Sequence, residues 1–225
     1  MRHDTLLFDL DGTLADTDSL HFEAFVRTLA PMGIGIARAD YVARILGRAN
    51  AAIMRDLFPG AGEAERARVA EEKEACFRAL AARIEPVAGL GALLDWGARN
   101  GLRTAVVTNA PRANAEQMLA GLGLASRFDV VVIGDELARG KPDPLPYATA
   151  LARLGADAAR AVAFEDSRSG IAAAHAAGIF TFGLSTTLDA PALRAAGADV
   201  AIADFADAAL MEGLRARFGS SPAPG

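Results

Sequence analysis

Lysine is nearly missing from this chain: of its 23 basic residues only Lys73 and Lys141 are lysines, and the other 21 are arginines. Cysteine is reduced to Cys76, which excludes an internal disulfide; it sits among glutamates, away from any histidine that could activate a thiol, and reads as an inert helical residue. Aromatics make up 6% of the residues, and no apolar run reaches the roughly 18 needed to span a bilayer. The first residues run straight into an apolar strand, so no basic leader segment is expected. Positive charge is in deficit, with a net charge of -5 and a pI near 5.3. That balance argues against nucleic acid or an anionic membrane as partner, because both are held by clustered Lys and Arg. A cytoplasmic protein with a small-molecule partner is the expectation.

What is present is a folding composition, 52% hydrophobic and 23% charged over 225 residues. That length suits one full core plus a smaller lobe. Thr5 to Phe8 reads as a short strand that ends in Asp9-Leu10-Asp11-Gly12-Thr13. From about residue 86, apolar strands at Arg103–Thr108, Val130–Ile133, Ala161–Glu165 and Ile179–Leu184, with a weaker one at Val200–Ala203, alternate with helices. The helices are expected at Arg112–Leu122, Pro146–Leu154 and Ser167–Ala177. The strands are continuous apolar runs, as when both faces of a sheet are covered. Spacing places Ala115, Met118, Leu119 and Leu122 on one helical face, and Tyr147, Ala150, Leu151 and Leu154 on another. The fold class predicted is α/β: a doubly wound parallel sheet with an inserted α-helical cap domain.

The insertion is residues 14–85, which contain no strand-like run. Phe22, Phe25, Val26 and Leu29 repeat at helical spacing, Pro31-Met32-Gly33 punctuates a helix pair, and Gly62 to Ala82 is rich in Ala, Glu and Arg. Such a stretch is too long for an ordinary crossover and too long for a structureless loop. Residues 1–13 and 86–225 would form the catalytic core. The tail from Ser220 to Gly225 is expected to fray.

An open parallel sheet binds its ligand at the carboxyl ends of its strands. Those positions hold Asp9 and Asp11, then Thr108 and Asn109, then Lys141, then Glu165 and Asp166. Each feature alone has a bland reading as a turn, a helix cap or an exposed loop, but four successive strand ends deliver them to one rim. Phosphate-monoester hydrolysis is slow enough to need such convergence. Asp9 can attack phosphorus, and Asp9 with Asp166 can bind a hard cation through oxygen. Asp11, two residues along an extended chain, can exchange protons with the leaving oxygen and with water. Thr108 can grip phosphate oxygens together with helix-start amides, and Lys141 adds a compact positive charge. Lys73, flanked by glutamates on a helix, reads as part of a solvated face. Gly134 to Lys141 has the wrong spacing for a P-loop, with Pro142 where Ser or Thr is required, and no glycine cluster matches a dinucleotide fingerprint. His3, His21 and His175 have no metal-ligand spacing, and His175 reads as a packed or capping residue.

Four segments, Phe8-Asp9-Leu10-Asp11-Gly12-Thr13-Leu14, Val106-Val107-Thr108-Asn109, Gly140-Lys141-Pro142-Asp143-Pro144 and Phe164-Glu165-Asp166-Ser167-Arg168-Ser169-Gly170-Ile171, resemble the motifs of the haloacid dehalogenase superfamily. Their order is similar to that of its small phosphatases and beta-phosphoglucomutases with a helical cap, and residues 14–85 correspond to the cap. The resemblance implies a Mg2+-dependent phosphatase of a small phosphorylated metabolite, working through an aspartyl-phosphate. It implies Asp9 as nucleophile, Asp11 as acid/base whose backbone carbonyl also meets the metal, and Asp166 as third protein ligand. Glu165 is similar to an acid that in some members joins the metal shell. Thr108, Asn109 and Lys141 would bind phosphate. Arg48 lies where related caps contact the leaving group, with a surface arginine as the plain alternative.

A phosphosugar mutase would use the same motifs, although Thr108-Asn109-Ala110-Pro111-Arg112 departs from the mutase pattern. A dehalogenase would need neither Asp11 nor a magnesium site. From another class, a phospho-accepting signalling receiver shares the paired acids, the Thr and the Lys. It carries no inserted lobe, and its accepting Asp is not on the first strand. A non-catalytic binding module stays open as an alternative, because fold does not imply function, and turnover of an aryl phosphate with Mg2+ would distinguish it from an enzyme.

Overall fold

The computed structural model describes residues 4–219, so the tail from Ser220, expected to fray, and His3 both lie outside the described residues. At the centre is β1 (Thr5–Phe8), every residue of it buried. Parallel strands flank it: β2 (Arg103–Thr108), β3 (Val130–Ile133), β4 (Ala161–Glu165), β5 (Phe180–Leu184) and β6 (Val200–Ile202). Their order is β3-β2-β1-β4-β5-β6. Leu7 pairs in register with Ala105 on one side and Ala163 on the other. This is the α/β parallel architecture expected, with strand bounds within a residue of those read from the apolar runs.

Helices cover both faces. One layer packs Leu7, Ala105, Val107, Val132 and Ala163 against Tyr147, Ala150, Leu151 and Leu154 of α7 (Leu145–Leu154) and Ala173 and Ala174 of α8 (Arg168–Ala176). The other packs Phe8, Val106, Phe164 and Phe182 against α5 (Leu90–Arg99), α6 (Arg112–Gly121) and α10 (Ala208–Phe218). A short α9 (Ala190–Ala195) buries Leu193 against Ile171. The helices α5, α9 and α10 were not anticipated. In α5 the buried face Leu90, Leu93, Leu94 and Gly97 has full helical spacing. Gly89 has φ +82, and a Cβ there would lie 2.4 Å from the Phe205 backbone.

Between β1 and β2 the described chain is helical: α1 (Asp18–Leu29), α2 (Arg38–Arg44), α3 (Asn50–Leu57) and α4 (Glu63–Leu80). These helices bury a cluster of their own, Phe25, Leu29, Tyr41, Ile45, Ile53, Met54 and Val69. The Ala30–Met32 turn ends in left-handed Gly33, as the Pro-Met-Gly punctuation predicts. Cys76 is half-buried and unpaired on α4. No helix among the described residues is long and apolar enough to cross a membrane.

An aromatic column crosses the interior strands of the sheet: Phe164 stacks on Phe8 with centroids 4.8 Å apart and on Phe182 at 5.6 Å, and meets Phe205 edge-on. Truncating a fully buried aromatic loses transfer energy and leaves a cavity. Phe164→Ala is therefore expected to lower stability by about 3–5 kcal/mol, measured by urea denaturation.

Candidate active site

All seven rim residues picked from the strand ends meet in one cleft or directly behind it. Asp9, Asp11, Thr108, Asn109, Lys141 and Asp166 line it, opposite His21, Arg48, Asn50, Lys73 and Glu74 from the helical insertion. Glu165, fully buried, lies behind the lining.

At the base, Lys141 Nζ donates to Asp9 Oδ1 at 2.6 Å and to Glu165 Oε1 at 2.5 Å. Carboxylate oxygens of Asp9, Glu165 and Asp166 lie within 4.8 Å of one another, a grouping able to hold a metal ion. Burial raises the Asp9 carboxyl to about 7; Lys141 opposes the rise, and repulsion from Glu165 adds to it. Burial, with repulsion from Asp9 and Glu165, holds Asp166 well above the usual carboxylate range. For Lys141 burial works downward, but Asp9 and Glu165 outweigh it and bring the ammonium to about 12. Acids and lysine thus move in the same direction, as they do where buried negative charge exceeds positive. A divalent cation fits that deficit, and the all-oxygen donor set suits a hard ion.

The motif glycines make this crowding possible. A Cβ at Gly12 (φ +75) would fall 2.1 Å from Asp166 Oδ2, and one at Gly170 would fall 1.9 Å from Glu165 Oε2. Ser167, at the N-cap of α8, accepts from Gly170 N and so turns the chain sharply after Asp166.

Thr108 Oγ1 accepts from Ala110 N at 2.9 Å, closing the turn into α6. Asn109 is committed in a way its motif did not suggest: its amide donates to the Lys141 carbonyl, and its Oδ1 accepts from Lys141 N, both at 3.0 Å. It clamps the lysine loop while still lining the cleft. Arg48 lines the cleft too, but its guanidinium is partly exposed and bonds Asp56 at 2.8 Å and the Arg44 carbonyl at 2.6 Å.

Asp11 turns away from the acidic group toward the insertion. Its Oδ1 accepts from Thr17 at 2.7 Å and lies 3.1 Å from His21 Nε2. Burial alone would raise this carboxyl; His21 and Thr17 outweigh it and hold it below its usual range.

The reading of Lys73 as a solvated residue is overturned. Only 3% exposed, it sits between His21 Nδ1 at 3.0 Å and Glu74 Oε1 at 2.7 Å, with its ammonium 4.7 Å from the Phe25 ring centre. Glu74 is buried as well and accepts from Asn50 and, across to the core, from Asn114, each at 2.6 Å. Glu71 and Glu72 are exposed while Lys73 and Glu74 are not, since each residue turns about 100° around α4 and neighbours can face opposite environments. His21, which lacked any motif, stacks on Phe77 at 3.8 Å and connects Asp11 to this network. Its position one helical turn after Thr17, on the helix that follows the Asp pair, was the available signal.

A family model described as "Haloacid dehalogenase-like hydrolase" matches residues 6–184. The validoxylamine A 7'-phosphate phosphatase of Streptomyces hygroscopicus is 38% identical over 89% of this chain and 93% of its own length. A phosphorylated carbohydrates phosphatase of Thermotoga maritima is 35% identical over 87% of the chain and 92% of its own. The crystal structure of CbbY from Rhodobacter sphaeroides in complex with phosphate superimposes with a TM-score of 0.79 at 31% identity, covering 91% of this chain and 95% of that one. The chain belongs to the haloacid dehalogenase-like hydrolases, and it is an enzyme of the phosphoric monoester hydrolase class.

Removing one member of a buried ion pair leaves the other uncompensated. Lys73→Met is expected to cost about 3–5 kcal/mol of stability in chemical denaturation, where a surface lysine would change it by less than about 0.5.

Proposed function

We propose that this enzyme is a magnesium-dependent phosphatase that hydrolyses a small phosphorylated metabolite through an aspartyl-phosphate. The observation that carries the reading is Asp9 held beside Lys141 and Asp166 at the base of a cleft, with Asp11 poised on its other side. Asp9, Asp166 and the backbone carbonyl of Asp11 would hold Mg2+. When bound, the ion screens the repulsion between an anionic nucleophile and an anionic phosphoryl group.

In the first step an Asp9 oxygen forms a bond to phosphorus as the bond to the leaving oxygen breaks, and Asp11 supplies that oxygen's proton. In the second, Asp11 takes a proton from water, whose oxygen attacks phosphorus and releases Asp9 and inorganic phosphate. His21 and Thr17 favour the anionic form of Asp11 that the second step needs. An arriving phosphate dianion favours the protonated form that the first step needs. The Lys141 ammonium balances phosphate charge in both steps, while the Thr108 hydroxyl and the amides opening α6 hold its oxygens. Asn109 serves this site by fixing the lysine loop.

Residues 14–85 act as a cap over a core of residues 1–13 and 86–225. Their separate apolar cluster supports that division, and the cap wall of the cleft excludes water and selects the leaving group. Arg48, at the mouth, contributes to that choice on this reading.

The test is phosphate release from an aryl phosphate and a panel of phosphorylated metabolites, with isomerised sugar phosphate measured in parallel. Activity is expected with Mg2+ and none with EDTA. Asp9→Asn is expected to retain less than about a hundredth of wild-type kcat with unchanged circular dichroism, and Asp11→Asn to lose about 10^2 to 10^4-fold. Isomerisation without net phosphate release would sink the hydrolytic reading. Arg48→Ala is expected to lower kcat/KM for the best metabolite by at least about tenfold while sparing the aryl phosphate. Equal losses would remove it from substrate selection.

A further inference from the structure

Tyr147 lies on the buried face of α7, as its spacing with Ala150, Leu151 and Leu154 predicts, and the proposed chemistry gives it no part. Its hydroxyl is nevertheless not idle. It donates to Glu165 Oε1 at 2.6 Å, the same oxygen that accepts from Lys141 Nζ at 2.5 Å. The ring lies beneath that ammonium, 5.3 Å from centroid to Nζ.

A carboxylate oxygen has two lone pairs, and here Lys141 and Tyr147 take both. The second oxygen, Oε2, accepts weakly from the Ser167 hydroxyl at 3.3 Å and is pressed against Gly170, where even a methyl group would not fit. Glu165 is fully buried and absent from the cleft wall, although it stands within the group of carboxylates able to bind a metal. It therefore has two competing uses, as the anchor of Lys141 or as an additional metal ligand. The choice between them turns on which lone pairs are free.

We propose that Tyr147 is a positioning residue that makes this choice: by saturating Glu165 Oε1 together with Lys141, it keeps Glu165 on the lysine and out of the cation's coordination shell. The metal is then left to Asp9, Asp166 and the Asp11 carbonyl, with the phosphate and water free to complete its shell. Charge-assisted bonds to a carboxylate are short and strong, and both bonds here have that character. The inference rests on the metal reading of the previous subsection and adds a determinant to it.

The test uses full-length, metal-free protein and measures Mg2+ binding directly by calorimetry, alongside kcat. Tyr147→Phe keeps the ring and removes only the donor. Partners just outside a metal's ligands typically alter affinity or activity by about 10- to 100-fold. Tyr147→Phe is expected to bind Mg2+ more tightly, by about threefold or more, because Glu165 gains a lone pair for the ion. Its kcat is expected to fall about tenfold, because Lys141 loses a fixed anchor. A merely structural role for the tyrosine would not move these two quantities in opposite directions. In the double variant Tyr147→Phe with Glu165→Gln the gain in affinity disappears, since the amide cannot serve as an anionic ligand. In the Tyr147 background, Glu165→Gln lowers affinity much less than Asp166→Asn, a comparison that stands whether or not Tyr147→Phe folds. Unchanged or weaker Mg2+ binding by folded Tyr147→Phe would overturn the proposal, as would equal losses in Glu165→Gln and Asp166→Asn. If Asp166→Asn itself binds Mg2+ like the wild type, the metal reading is what fails.

Discussion

Three carboxylates share one lysine in the interior of this protein, and much of the surrounding structure answers to that imbalance. Asp9, Glu165 and Asp166 are all at most 8% exposed, and Lys141 is the cation within reach of two of them. Withdrawing such charges from water costs several kcal/mol per ion unless geometry and further hydrogen bonds compensate. The compensation is visible in the lysine between two acids, the tyrosine on Glu165 and the amide of Asn109 clamping the loop that carries the lysine. What these contacts leave uncompensated is a net negative potential at a group of carboxylates able to hold a metal ion.

The same crowding explains why the motifs carry glycines. Neither Gly12 nor Gly170 touches a reacting atom, yet each stands where a side chain would displace a carboxylate of the site. Gly134 and Gly140 do the equivalent for Asn109, whose Oδ1 would lie 2.3 and 2.7 Å from a Cβ at those positions. Close approach by backbone is how four loops bring their polar ends to one point without opening a gap between them.

Much of this was legible because parallel topology converts order in the chain into position in space. Once continuous apolar runs are taken as parallel strands, whatever follows each of them stands on one rim, so Asp9, Thr108, Lys141 and Asp166 could be assembled without coordinates. Lys141 was legible from its place at a strand end, whereas at Lys73 the neighbouring glutamates misled. A helix of mixed charge has no apolar stripe to betray a buried ion pair, and the partners of Lys73 come from His21 on another helix and, through Glu74, from Asn114 in the core. Tyr147 was legible as a core residue and not as a hydrogen-bond donor, because spacing reports which face a side chain occupies and says nothing of where its polar tip ends. The helices α5, α9 and α10 were obscured by internal glycines or by brevity.

The position of β1 has a consequence for how the molecule comes into being. Thr5 stands in register beside Arg103 of β2 on one side and Ala161 of β4 on the other, so the strand that leads into Asp9 gains its first neighbour only after the helical insertion and its second only after β2 and β3 have been made. Contacts of such long sequence separation form late, after the entropy of closing large loops has been overcome. During synthesis the helices between β1 and β2 can gather around their own apolar cluster first, while the central strand waits unpaired. The two acids therefore come together only when β4 docks beside β1 and sets Asp166 next to Asp9, with β5 and β6 still to extend the sheet beyond it.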